Sequence, residues 1–288
     1  PTCTPNATKE DKMSDTYTPP KVWTWDTESG GTFASTNRPI AGATHEQELP
    51  VGEHPFQLYS LATPNGVKVT VLFEELLEAG HTGAEYDAWL IRINGAQFGS
   101  GFVDVNPNSK IPALMDRSGD TPVRVFESGA IMLHLAEKFG AFLGAPEDRT
   151  EVLSWLMWQM GGLGPMIGQA GHFKLYAPER LEYAVERYHA EMLRLYGVLD
   201  KQLRSKDFVT GRYSIADMAI WGWVVPYKNQ GQKLEDFPHL KKWFERMGDR
   251  PAVKRGFALG LDLRRGTLGD NTKEAAKARK ILFNQRAK

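Results

Sequence analysis

Protein-borne sulfur chemistry is almost absent from this chain: its 288 residues hold one cysteine, Cys3, in a polar opening stretch. A lone thiol cannot close an intramolecular disulfide or build a cysteine-based zinc site, and a Cys-x-x-Cys redox centre is excluded. Any thiol chemistry must therefore use a sulfur carried in by a ligand. An excess of charge of one sign is missing too, since 35 Lys and Arg balance 35 Asp and Glu. A neutral total removes the electrostatic pull toward nucleic acid or an anionic membrane. No run reaches the roughly 18 apolar residues of a membrane span, and the first residues lack the pattern of a secretory signal. The expected compartment is the cytoplasm, with neither nucleic acid nor membrane as partner. The seven histidines show no metal-ligand spacing, so no metal is expected. His45, His54 and His134 read as structural.

What is present suits a globular protein of two domains, with 41% hydrophobic and 24% charged residues. Met13 reads as a natural start, which makes residues 1–12 a tag or extension. From 13 to 55 no period is visible, yet Trp23, Trp25 and Phe33 argue for an irregular arm packed on the body. "FQLYSL" reads as a strand, and Val67, Val71, Leu72, Leu76 and Leu77 place a helix from about Gly66 to Ala79, stopped by Gly80. A second strand spans Glu85 to Ile93, and two shorter ones cover Ala113–Met115 and Val123–Phe126, the last passing into a helix at Ser128. The order β-α-β, loop, β-β-α predicts a small α/β domain over 56–140. After a linker at 141–148, residues 149–263 read as all helix.

In that second region Leu181, Val185, Tyr188, Met192, Leu195 and Leu199 form one stripe of a long helix, with Pro178 in its first turn. Ser214 and Asp217 give the capping-box signal of another helix. Trp155, Trp158, His172, Phe173 and Tyr176 form an aromatic group suited to core, subunit interface or pocket wall. Residues 264–288 form a basic tail that reads as a solvated end.

Three short stretches could carry chemistry. In "TPNG", Asn65 could cap the helix while Thr63 and Pro64 set its entry angle. Alternatively, the Thr63 hydroxyl and the Asn65 N–H face a ligand at the positive helix end. In "NSKIPAL", Pro112 is either an edge-strand proline or follows a cis bond that turns the Ile111 backbone toward a peptide-like ligand. In "FESGA", Ser128 caps the next helix, or Ser128 and Glu127 together hold a carboxylate and an ammonium.

Taken together, "TPNG", "SKIPAL", "ESGAI", "GLGPMIGQAGHF", "ERY" and "YSIADMA" resemble the glutathione transferase family from Phe56 to about Arg255. The resemblance is closest to the bacterial Nu class and its fungal, nitrogen-regulator-like relatives. It implies a thioredoxin-like domain, then a helical domain, in a homodimer. Thr63 and Asn65 would be the catalytic pair, stabilising a bound thiolate in place of the tyrosine, serine or cysteine of other classes. Gln97, Lys110, Ile111, Glu127, Ser128, Arg187 and Asn37 would hold glutathione, with Arg187 anchoring a second molecule. Phe173 and Tyr176 would line the pocket for the other substrate. The implied activity is glutathione-dependent reduction of small disulfides, with two glutathiones or the disulfide at one site. Attack on carbon electrophiles or ethers, and a non-catalytic glutathione-binding role, are the alternatives.

Overall fold

The computed structural model describes residues 18–24, 42–93 and 95–264. Cys3, Met13, Trp25, Phe33, Asn37 and the tail from 265 lie outside the described residues. Strand β1 (Phe56–Ser60) leads into helix α1 (Pro64–Glu78), and β2 (Tyr86–Leu90) returns parallel to β1. A single turn of 3-10 helix (Ala96–Phe98) and a short helix α2 (Ser100–Val105) fill the stretch that reads as loop in the sequence. Strands β3 (Ala113–Asp116) and β4 (Val123–Phe126) follow, both antiparallel to their neighbours, and α3 (Ser128–Phe139) completes the half. The sheet order β2-β1-β3-β4 is the expected thioredoxin-like arrangement. Residues 44–47 of the arm hydrogen-bond along the segment 98–101, and Tyr59 donates to the Pro50 carbonyl at 2.8 Å.

The rest is helical: α4 (Arg149–Trp158), α5 (Gly164–Gly171), α6 (Glu182–Gln202), α7 (Ile215–Val224), α8 (Pro238–Asp249) and α9 (Pro251–Arg264). Turns of π-helix, Gln159–Leu163 and His172–Tyr176, follow α4 and α5. Among the described residues no helix is long and apolar enough to cross a membrane.

Helix α1 lies between the halves. It packs against α3 on its own side and against α7 and α9 on the other, so every residue from Gly66 to Leu77 is buried. Close approach requires glycine on both partners. A Cβ on Gly222 of α7 would sit 2.7 Å from the Pro64 carbonyl oxygen, and one on Gly256 of α9 2.7 Å from the Val71 nitrogen. Polar side chains on this buried helix reach across the boundary. Arg250 holds Glu75 through two bonds of 2.6 and 2.8 Å, Tyr213 donates to the same carboxylate at 2.9 Å, and Arg255 bridges Glu74 and Glu78.

Several expectations need correcting. The first helix begins at Pro64, two residues before the expected Gly66, because proline at the first helical position has no N–H to leave unsatisfied. The long helix begins at Glu182 rather than near Pro178, and its apolar stripe is buried only from Met192. Leu181 is exposed, and Val185 and Tyr188 are half-buried. All three histidines do have partners: His54 meets Asp87 at 2.8 Å, His134 meets Asp116 at 2.7 Å, and His45 bonds Thr44 and Gln47.

The capping box at Ser214 and Asp217 is present. Asp217 is fully buried and accepts from the Val209 N–H (2.8 Å), the Trp243 indole (2.9 Å) and the Ser214 N–H (3.1 Å). Burial pushes its carboxyl up to about 6 despite these bonds. Asp217→Ala orphans three buried donors. A loss of about 3–5 kcal/mol is expected, at roughly 1–3 kcal/mol per unsatisfied group, measured as a fall in the urea midpoint with the slope unchanged.

Candidate functional site

Strand register gathers the three chemistry-bearing stretches at one rim of the sheet. Ser60 lies beside Leu90, Tyr59 beside Ala113, and Ala113 beside Phe126. The last residues of β1, β2 and β4 thus share an edge with the first residue of β3. Thr63, Ile111–Pro112 and Glu127–Ser128 are the segments that leave or enter those strand ends. Helices α1 and α3 both start there, so their free N–H groups and partial positive charge face the same rim.

Thr63, not Asn65, is the cap of α1: its hydroxyl oxygen accepts the Gly66 N–H at 3.2 Å. Capping uses a lone pair, so the single O–H hydrogen is still available to donate. The two readings of Thr63 therefore do not compete. Asn65 turns its amide oxygen to the Trp223 indole N–H at 2.9 Å. That bond ties the start of α1 to the helical half and points the Asn65 NH2 end away from Trp223.

Ile111–Pro112 is a cis peptide bond, and it stands just ahead of β3, an interior strand of the sheet. The edge-strand reading of Pro112 is thereby corrected. Buried Asn106 shapes the preceding loop by donating to the Lys110 carbonyl at 2.5 Å and accepting the Asn108 N–H at 2.9 Å. Lys110 is exposed as a residue, yet partial burial of its amine draws its pKa below the ordinary lysine value.

Glu127 turns the chain from β4 into α3 at φ 69°, ψ 121°, outside the usual regions for a side-chain-bearing residue. Such a conformation costs about 1–3 kcal/mol and persists where surrounding structure holds it. It leaves Glu127 exposed on the rim while Ser128 is buried. Ser128 does not cap α3; no side chain does. Instead its hydroxyl accepts from the Lys68 ammonium at 3.2 Å.

Lys68 is the residue that sequence reasoning missed. It is wholly buried, and its Nζ also meets the Met160 sulfur at 3.2 Å. Met160 belongs to the π-helical turn after α4 and lies against Gly129, where a Cβ would come within 3.0 Å of Met160 Cγ. Burial pushes the Lys68 amine down to about 7, with the charge of Glu127 acting in the opposite direction. A signal for it existed. Lys68 precedes Val71 and Leu72 by the helical steps of three and four, so it lies on the buried face.

Other expected residues stand apart. Gln97 is buried, its amide spent within its own loop on the Gly95 N–H at 2.9 Å and the Ile93 carbonyl at 3.3 Å. Arg187 is exposed on α6, beside Tyr188, whose ring stacks on Phe173 with centroids 5.4 Å apart. Tyr176 is exposed on the same π-helical turn as Phe173. Trp155 and Trp158 form a separate edge-to-face pair. Asn37 lies outside the described residues.

Comparison with known proteins fits these two halves. Residues 55–137 match the glutathione S-transferase N-terminal domain and 160–251 the C-terminal domain. The chain is 56% identical to the disulfide-bond oxidoreductase YghU of Escherichia coli over 257 residues, covering 85% of this chain and 88% of that protein. It is similar to the solved glutathione transferase YghU of Streptococcus pneumoniae, complexed with glutathione, at 52% identity and a TM-score of 0.79, over 84% of this chain and 97% of that one. A glutathione transferase family member from Pseudomonas fluorescens, solved with two glutathiones bound, is 41% identical with a TM-score of 0.64, over 70% and 92% of the two chains.

The buried amine has a consequence for stability. An unfolded chain holds the Lys68 proton up to the ordinary lysine value of 10.5, whereas burial lets the folded protein release it at about 7. Between those values the unfolded state binds more protons, so this residue makes stability rise with pH across that window. Urea denaturation at pH 7 and pH 9 should show a wild-type gain that Lys68→Met reduces.

Proposed function

This chain belongs to the glutathione S-transferase family, in its Nu-class branch, and from that premise we propose that it is a glutathione-dependent thiol–disulfide oxidoreductase. It works without a protein cysteine at the site, using glutathione as the attacking and the resolving thiol. The observation that carries this reading is the rim itself: a capped Thr63 with a hydroxyl hydrogen to donate, beside Ile111 and Glu127–Ser128. The chain's one cysteine lies far away in sequence, at position 3.

Glutathione's γ-glutamyl end presents an ammonium and a carboxylate, which suit Glu127 and Ser128 in turn, the latter backed by the α3 N-terminus. Its cysteinyl backbone pairs with the N–H and C=O of Ile111, and its sulfur lies at Thr63 and Asn65. Lys110 contacts its outer carboxylate. Gln97 acts by holding the Gly95 N–H and the Ile93 carbonyl, and the family resemblance adds Asn37 as a further glutathione contact.

A cysteine thiol ionises near 8.5, and lowering it by about two units takes roughly 2.7 kcal/mol. The end of α1 supplies about 0.3–1 kcal/mol. One hydrogen bond to the charged sulfur adds about 1.5–3 kcal/mol. Helix end and Thr63 hydroxyl together therefore reach the requirement, while the helix end alone does not.

The thiolate then attacks one sulfur of a small disulfide. An S–S bond forms to glutathione, and the other half leaves as a thiolate that takes a proton from water. A second glutathione attacks the mixed disulfide, giving glutathione disulfide and the second reduced thiol. Arg187 suits the carboxylate of that second molecule, since guanidinium pairs carboxylates in bidentate fashion. Phe173 and Tyr176 offer aromatic faces to the disulfide substrate. The protein acts as a homodimer in the cytoplasm.

Reduction of 2-hydroxyethyl disulfide by glutathione, coupled to glutathione reductase and NADPH, tests the reading. Turnover well above uncatalysed exchange is expected. Thr63→Ala should lower it by roughly ten- to a hundredfold, the worth of one charged hydrogen bond, while Thr63→Ser retains most of it. Undiminished turnover in Thr63→Ala would remove the thiolate role.

A further inference from the structure

Lysine is rarely buried without a carboxylate to pair with. Lys68 is 0% exposed, and its hydrogen-bonding neighbours are a hydroxyl and a thioether. The charged groups around it lie elsewhere. On its own helix, Glu74, Glu75 and Glu78 are taken by Arg255 and Arg250, which come from the α8–α9 side. The π-helical turn presents the uncharged Met160, and α7 presents Gly222, where a Cβ would lie 3.6 Å from Lys68 Cγ. Asp217, the carboxylate at the start of α7, is spent on Val209, Ser214 and Trp243. From the α3 side, among the described residues, the charge of Glu127 acts on Lys68.

We propose that Lys68 is a positioning residue whose protonation sets the direction of the Ser128 hydroxyl, so that a ligand carboxylate binds at the start of α3 together with a proton. This rests on the reading of the rim as the glutathione site.

The reason lies in donor arithmetic. An ammonium has three N–H donors and no acceptor. Facing it, Ser128 can only accept, and its own hydrogen points away from Nζ: to the Met160 sulfur at 3.6 Å, or to a stronger acceptor such as a carboxylate bound at the rim. A neutral amine carries a lone pair that accepts the Ser128 O–H. The hydrogen then turns inward, and the rim sees oxygen lone pairs, which repel a carboxylate. Burial brings the amine down to about 7, so both forms are populated near neutrality. An arriving carboxylate favours the charged form and draws a proton from solvent onto Nζ; no covalent bond changes.

Calorimetric titration with S-methylglutathione tests this, because blocking the sulfur removes thiol ionisation from the balance. Heats measured in two buffers of different ionisation enthalpy report the protons exchanged. Wild type is expected to take up a substantial fraction of a proton at pH 7.5 and close to none at pH 6, with affinity falling as pH rises between them. Lys68→Met should bind on the order of tenfold more weakly at pH 6.5, with no uptake at pH 7.5. Ser128→Ala should lose the uptake while Lys68 is intact, a result that needs no change at the buried lysine. Binding by wild type without proton uptake overturns the proposal, as does uptake that persists in either variant. Absence of binding at every pH would instead overturn the glutathione reading beneath it.

Discussion

A helix buried on every side cannot leave a polar side chain without a partner, and α1 carries Lys68, Thr70, Glu74 and Glu75 in its buried stretch. Each must be satisfied by whatever packs against it. Thr70 donates to the Gly256 carbonyl at 2.8 Å, Glu75 is held by Arg250 and Tyr213, and Glu74 by Arg255 and Tyr86. Those partners come largely from the helical half, so the bonds that neutralise α1 also fix how the halves meet. Removing one partner would leave a charge buried and unpaired, which is far more costly than never having placed it there. The position of the α1 N-terminus, and with it Thr63 and Asn65, follows from this constraint.

The same dependence explains why the rim is not the property of the thioredoxin-like half alone. Trp223 of α7 orients the Asn65 amide, and Met160 touches both the Lys68 ammonium and, at 3.6 Å, the Ser128 hydroxyl. Met160 comes from a turn of π-helix, a local widening often found at functional sites. A soft thioether beside an ammonium supplies contact without supplying charge.

Chemically, the rim is built to position and to donate. In the proposed reaction, helix ends, a hydroxyl and backbone groups stabilise the charge that glutathione brings, and none of them is consumed. A chain with its one cysteine at position 3 can leave bond exchange to ligand sulfurs and confine itself to lowering one pKa and aligning two sulfur atoms. Threonine suits this because its oxygen caps the helix while its hydrogen remains free to donate.

Much of this was legible in the residues. Alternation and helical spacing located every strand of the sheet, and the capping box at Ser214 and Asp217 stood as read, because these are short-range properties of neighbouring side chains. Motifs at Thr63, Ile111 and Glu127–Ser128 marked the rim in advance, since turn and cap chemistry is written locally. Local sequence did not decide which of Thr63 and Asn65 would cap α1, because either side chain can accept an N–H; Trp223, distant in the chain, claimed Asn65. Nor did it reveal that Ser128 would face an ammonium rather than cap its own helix. By spacing Lys68 falls on the apolar face of α1, but local sequence does not say what covers that face. Burial is set by what packs against a face, so only the tertiary structure could make Lys68 a buried donor.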